Sequence, residues 1–145
     1  MTADARGLSI ERPFAIALPE SEELIRWTVT DRGFAMHLSG EVPGRIAAAL
    51  EDAAVAEAIG VADVDRWAVH AGGRSILDAV TRALGLPEDA LDASRAVLRD
   101  KGNMSSATLM FVLAELMGGP PVANGRAMAF GPGLAAEGFA FRSAR

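Results

Sequence analysis

The sequence predicts an α/β fold in which helices pack around a sheet and one helix lies buried at the centre. Two stretches, 25–30 (IRWTVT) and 34–39 (FAMHLS), alternate with the period of strands. Residues 74–84 instead place Ile76, Leu77, Val80, Ala83 and Leu84 on one stripe, the spacing of a helix that faces a core. In 105–117 (SSATLMFVLAELM) the apolar residues run nearly all the way round, which predicts a helix covered on most sides.

Taken in order, residues 1–12 read as an irregular lead-in and 13–145 as one domain. Residues 14–18 suit a short strand closed by Pro19. The strands at 25–30 and 34–39 join through Asp31-Arg32-Gly33, a hairpin turn. In the second strand Phe34, Met36 and Leu38 share one face, and Ala35, His37 and Ser39 the other. Pro43 stands in the first turn of a helix that runs to Ile59 and stops at Gly60. A strand at 66–70, the helix at 74–84 and a shorter helix at 92–100 come next. Asn103, with Ser105 and Ser106 close behind, offers side-chain oxygens to the free amides at the start of the 105–117 helix. Gly118-Gly119-Pro120-Pro121 ends that helix, and strands at 126–130 and 134–141 finish the fold.

Composition narrows the function. At 145 residues, half of them hydrophobic and 23% charged, the chain is about one domain long and able to bury a core. A net charge of −5 argues against a nucleic-acid partner, and the arginines are scattered rather than clustered into a membrane patch. The longest apolar stretch, 109–114, is far too short to span a bilayer. The start, MTADARGLSIERP, lacks the apolar run of a signal peptide, so a cytoplasmic location is expected. The sequence contains no cysteine, which excludes disulfides, thiolate metal sites and a cysteine nucleophile within it. With two histidines and no HExxH-like spacing, no metal is expected.

Three places could carry chemistry, all at element boundaries: His70 after a strand, Asn103 before the apolar helix, and Phe130-Gly131-Pro132-Gly133 between two strands. Strand ends and helix starts project side chains into shared crevices. A neutral histidine and an asparagine amide aimed at one point would form an oxyanion hole for an enolate or tetrahedral intermediate. Plainer readings stand beside this one. A histidine before Gly-Gly is an ordinary turn residue, Asn103 an ordinary helix cap and FGPG a tight turn. Gly72-Gly73 lacks the spacing of a dinucleotide fingerprint.

The motifs WAVHAGG, GNMSSATLMFVL and FGPGL, in this order, resemble the C-terminal half of a type III polyketide synthase of the chalcone and stilbene synthase family. HLSGEVPGRI and GLPEDALDASRAVLRDKGN resemble the passages that lead to the histidine and the asparagine in that family. The ketoacyl synthase III relatives share the fold. Their histidine is usually followed by Gln-Ala-Asn and their asparagine by Thr-Ser, where this chain has Ala71-Gly72-Gly73 and Met104-Ser105-Ser106.

The resemblance implies a thiolase-like half-domain with a mixed sheet. It also implies that His70 and Asn103 are catalytic, stabilising the enolate left when malonyl-CoA loses carbon dioxide. Met36 falls where many plant members place a gatekeeper phenylalanine. Gly72 and Gly73 correspond to a turn lining the pantetheine tunnel, Ser105 to a pocket-lining serine, and Phe130, Gly131, Pro132 and Gly133 to a loop shaping the cavity. The cofactor expectation is none, with coenzyme A thioesters as substrates. The expected partner is a cysteine-bearing N-terminal thiolase-like half or a second copy of the chain, within an assembly that is dimeric in the family. Alone, the chain is expected to be inactive. A non-catalytic half-domain that binds acyl-CoA or a protein, or a ketoacyl synthase III-like fragment, is the alternative. Where plant members have proline after the histidine, this chain has Ala71.

Overall fold

Strand β6 (Ala135–Ser143) organises the sheet. It pairs antiparallel with β1 (Leu8–Ala17) on one side and with β5 (Gly125–Gly131) on the other, and β5 pairs parallel with β4 (Arg66–Val69). The sheet is therefore mixed, in the order β1-β6-β5-β4. The computed structural model describes residues 7–144. Within it β2 (Ile25–Thr30) and β3 (Gly33–Leu38) form a separate two-stranded hairpin.

The period-2 alternation of the strands sorts side chains onto the two faces of the sheet. Trp67 and Val69 of β4 and Met128 of β5 join one core cluster, with Ile46 and Leu50 of α1 (Val42–Glu51) and Leu77 and Val80 of α3 (Arg74–Ala83). Ala68 and Ala127, one residue along, join a second cluster. That cluster includes Val97 of α4 (Asp92–Lys101), Val112 and Leu113 of α5 (Ala107–Met117), and Phe141 of β6. Helices thus cover both faces. No helix among the described residues is long and apolar enough to cross a membrane.

The structure departs from the sequence reading in four places. The first strand begins at Leu8, inside the stretch expected to be an irregular lead-in. Its pairing with β6 shifts register between Glu11 and Phe14. There Arg12 takes a left-handed φ of 46°, and Pro13 has no N–H to give. That bulge breaks the alternation and hides the strand's first half. The helix expected from Pro43 to Ile59 is two helices, α1 and α2 (Ala53–Ile59). Asp52 between them is extended, and its carboxylate accepts the N–H groups of Ala54 (2.8 Å) and Val55 (3.3 Å), capping α2.

The third departure is the start of α5. Ser106 at its N-cap makes no side-chain capping bond, and Asn103 serves the loop instead. Fourth, α5 buries one face only, through Thr108, Leu109, Val112 and Leu113. Met110, Phe111 and Met117 are exposed by 54%, 43% and 54% on the other, so within this chain the helix is not central. An all-round apolar helix with one bare face has more surface to cover than its own domain supplies.

Gly138 is fixed by close packing against backbone. Gly138 of β6 lies opposite Phe14 of β1 and Met128 of β5. A Cβ there would overlap the Ala127 carbonyl oxygen and come within 2.7 Å of the Phe14 ring. The variant Gly138→Ala is expected to lose about 1–3 kcal/mol by overpacking. Denaturant unfolding of the chain reads this, and an unchanged midpoint would contradict the packing described.

Candidate active site

The site starts where β4 ends. His70, expected inside the strand, lies one residue past it, yet its N–H still donates to the Met128 carbonyl at 2.8 Å. The preceding Val69 N–H is satisfied by the buried hydroxyl of Ser94 on α4, at 3.1 Å. Both amides around the strand end are thereby held. The chain then turns at once, with Gly72 N–H donating to the His70 carbonyl at 2.9 Å, and α3 begins at Arg74.

Asn103 reaches the same turn from α4's far end. Its carboxamide Nδ2 donates to the Gly72 carbonyl at 3.2 Å, while Oδ1 accepts the Ser105 N–H at 2.8 Å. Ser105 adopts a left-handed φ of 58°, a conformation uncommon for serine. The buried Thr108 hydroxyl accepts the Met104 N–H at 2.8 Å and pins the loop from the helix side. Nδ2 carries two N–H groups, so one remains after the Gly72 bond.

His70 and Asn103 both line one cavity of about 820 Å³, within the usual range for small-molecule sites. Of the other sequence-predicted residues, Met36, Gly72, Ser105, Phe130, Gly131 and Pro132 line it as well. Two do not. Gly73 faces a different cavity, beyond the turn, and Gly133 lines neither. Gly133 has a left-handed φ of 70°, and its carbonyl accepts the buried Ser21 hydroxyl at 3.2 Å. Its work is to shape the turn that presents Phe130 to Pro132.

Sequence reasoning missed the wall that β2 contributes. Register pairs Ile25 with Leu38 and Trp27 with Met36, and all four line the cavity. The signal was present as apolar alternation in both hairpin strands, but alternation does not say what the face meets. Glu137 is the one carboxylate among the lining residues, and it went unnoticed for want of a motif.

Burial holds the His70 imidazole below its ordinary value of 6.5, with no neighbouring charge opposing that shift. The ring is therefore neutral at neutral pH and carries a single N–H, able to donate to an oxygen without being a cation. Gly72 completes the picture. A Cβ on it would meet the His70 ring at 3.6 Å, an ordinary contact, and Gly73 has open space where a Cβ would be. Neither glycine is demanded by the chain's own packing, so the room they leave is available to a ligand.

Comparison with known proteins now bears on the arrangement. Residues 13–145 match the family model of chalcone and stilbene synthases, C-terminal domain. The chain belongs to that family. It is 36% identical over 137 residues to 1,3,6,8-tetrahydroxynaphthalene synthase of Streptomyces griseus, covering 90% of this chain and 37% of that protein. Its fold matches the 1,3,6,8-tetrahydroxynaphthalene synthase structure from Streptomyces coelicolor A3(2), a bacterial type III polyketide synthase, with a TM-score of 0.87 and 31% identity. The match covers 97% of this chain and 42% of that one. For PKS-I from the brown alga Ectocarpus siliculosus the TM-score is 0.84 and the identity 33%, over 94% of this chain and 40% of that one. The α/β architecture and mixed sheet are those of the thiolase-like type III polyketide synthases, and the chain spans about two fifths of such proteins.

The His70 geometry makes a pH prediction. Its folded value lies below the unfolded value, so between the two the unfolded chain binds more protons and stability rises with pH. The His70 contribution is complete above 6.5 and is lost as pH falls through the folded value. An NMR titration of the imidazole should give a midpoint below 6.5. A midpoint at or above that value would contradict the desolvated ring.

Proposed function

We propose that this chain supplies the histidine–asparagine half of a polyketide synthase site for decarboxylative condensation of malonyl-CoA with an acyl group. The observation that carries the reading is that the His70 carbonyl accepts the Gly72 N–H, the Asn103 carboxamide donates to the Gly72 carbonyl, and both side chains line one cavity. Two neutral donors with a shared anchor suit an oxygen that gains negative charge during reaction.

The chemistry follows from that role. The bond between the malonyl Cα and its carboxylate breaks, carbon dioxide leaves, and the electron pair moves onto the thioester oxygen as an enolate. The His70 N–H and the second Asn103 N–H stabilise that oxygen. The enolate carbon then attacks an acyl group held as a thioester elsewhere, forming a carbon–carbon bond and releasing a thiolate. This sequence has no cysteine, so the acyl-bearing thiol comes from an N-terminal thiolase-like half, and a second copy of the chain could not provide it. No redox group is needed, because no electron leaves the substrates, and the two N–H donors take the enolate-stabilising part that a metal would otherwise play. In this reading the activity is cytoplasmic, in a dimeric assembly that also covers the bare face of α5.

The test is complementation. Mixed with a cysteine-bearing N-terminal half, the chain is expected to restore carbon dioxide release and polyketide formation from malonyl-CoA. His70→Ala and Asn103→Ala should each lower the rate about 10²–10³-fold, as loss of one oxyanion donor does. Activity indifferent to both substitutions, or condensation by the chain alone, would contradict the reading.

A further inference from the structure

Glu137 has no part in decarboxylation, yet its place in the sheet is specific. It stands on β6 directly opposite Ala129 of β5 and Ala15 of β1. His70 extends the same row. Its N–H donates to the Met128 carbonyl, which carries the β4–β5 register one residue past the Val69–Met128 pair and sets His70 beside Ala129. The row across the sheet is therefore His70, Ala129, Glu137 and Ala15, and all four line the cavity.

Alternation puts these side chains on one face. Val69 and Ala71, on either side of His70, join the first core cluster, so the ring turns to the other face, that of Ala68 and Ala127. Ala129 follows Ala127 by two residues, and residues paired directly across strands share a face. Neighbouring strands lie about 4.8 Å apart, which sets the His70 and Glu137 backbones about 10 Å from each other. Only the methyl group of Ala129 stands between them in the row. The Glu137 side chain is exposed and makes no ion pair among the described residues. It also stays off the imidazole, whose lowered value has burial as its one cause. The span between ring and carboxylate is left to a ligand.

We infer that Glu137 is a catalytic base that enolises a β-keto thioester while His70 and Asn103 hold the thioester oxygen. The inference rests on the proposed function, because condensation with a malonyl thioester leaves that compound as its product. The methylene between the ketone and the thioester is its most acidic carbon. The Glu137 carboxylate takes one of its protons, and the electron pair of the C–H bond becomes an enolate whose charged oxygen meets the two N–H donors. In a chain with a further ketone, the enolate carbon attacks that carbonyl carbon and a carbon–carbon bond closes a ring. The alkoxide so formed takes the proton back from Glu137, and the carboxylate is restored.

Deuterium exchange tests this with the full chain alone, since no acyl transfer is involved. Acetoacetyl-pantetheine is kept in mildly acidic D2O, and the loss of its methylene signal is followed by proton NMR. The chain is expected to speed exchange over the protein-free rate. Glu137→Gln should lower that acceleration about 10²-fold or more, the usual contribution of a positioned base. The substitution keeps the shape of an exposed side chain, so circular dichroism should show an unchanged fold. His70→Ala and Asn103→Ala should each slow exchange as well, through loss of an oxyanion donor. Exchange at the native rate in Glu137→Gln overturns the inference and, where it still depends on His70 and Asn103, leaves the acyl-transfer reading standing. Acceleration that needs Glu137 but neither His70 nor Asn103 overturns the joint site, and with it the roles proposed for the two donors. Exchange no faster than without protein overturns the base assignment, while complementation separately decides the acyl-transfer reading.

Discussion

The carboxamide of Asn103 joins two loops that are far apart in sequence. Through Nδ2 it holds the Gly72 carbonyl, and through Oδ1 it holds the Ser105 amide. The first bond ties the end of the parallel strand pair to the start of α5, and so fixes where the His70 ring stands relative to a second donor. Everything proposed for the site needs that tie. The fold supports it from both sides, with Ser94 satisfying the strand end and Thr108 the helix start. Both supporting hydroxyls are buried and each accepts a backbone N–H, which makes the loop geometry costly to relax.

Much of the fold was legible because its signals are local. The hairpin at β2–β3, the stripe of α3 and the helix stops at Gly60 and Gly118 follow from periodicity and from what glycine and proline allow. What stayed hidden depended on partners distant in the chain. The first half of β1 exists because β6 is long enough to pair with it across a bulge, and no residue near Arg12 announces β6. The break at Asp52 was masked by alanine-rich, helix-favouring sequence on both sides. The bare face of α5 is the clearest case. Its composition says that every side is apolar, but composition cannot say which sides this chain covers.

The site shows the same division. His70 and Asn103 stand out in sequence only as boundary residues, and their plain readings as turn and cap are partly true of the structure. Asn103 does bind a nearby backbone amide, but that of Ser105 ahead of the helix, and its other end carries the long-range bond. Family motifs placed Gly72 and Gly73 together as one lining turn; the structure separates them onto two cavities. The hairpin wall of Ile25, Trp27, Met36 and Leu38 likewise needed the register before its face had a destination.

The central claim is that His70 and Asn103 act on one ligand oxygen from a shared anchor. It is tested most directly by following both side chains at once, the His70 imidazole and the Asn103 carboxamide, in nitrogen–proton correlation spectra while a malonyl thioester is titrated. The account predicts that both resonances move together, with one midpoint, and that Asn103→Ala displaces the His70 signal even before ligand is added. Movement of His70 alone, with the Asn103 carboxamide unaffected at saturation, would contradict it.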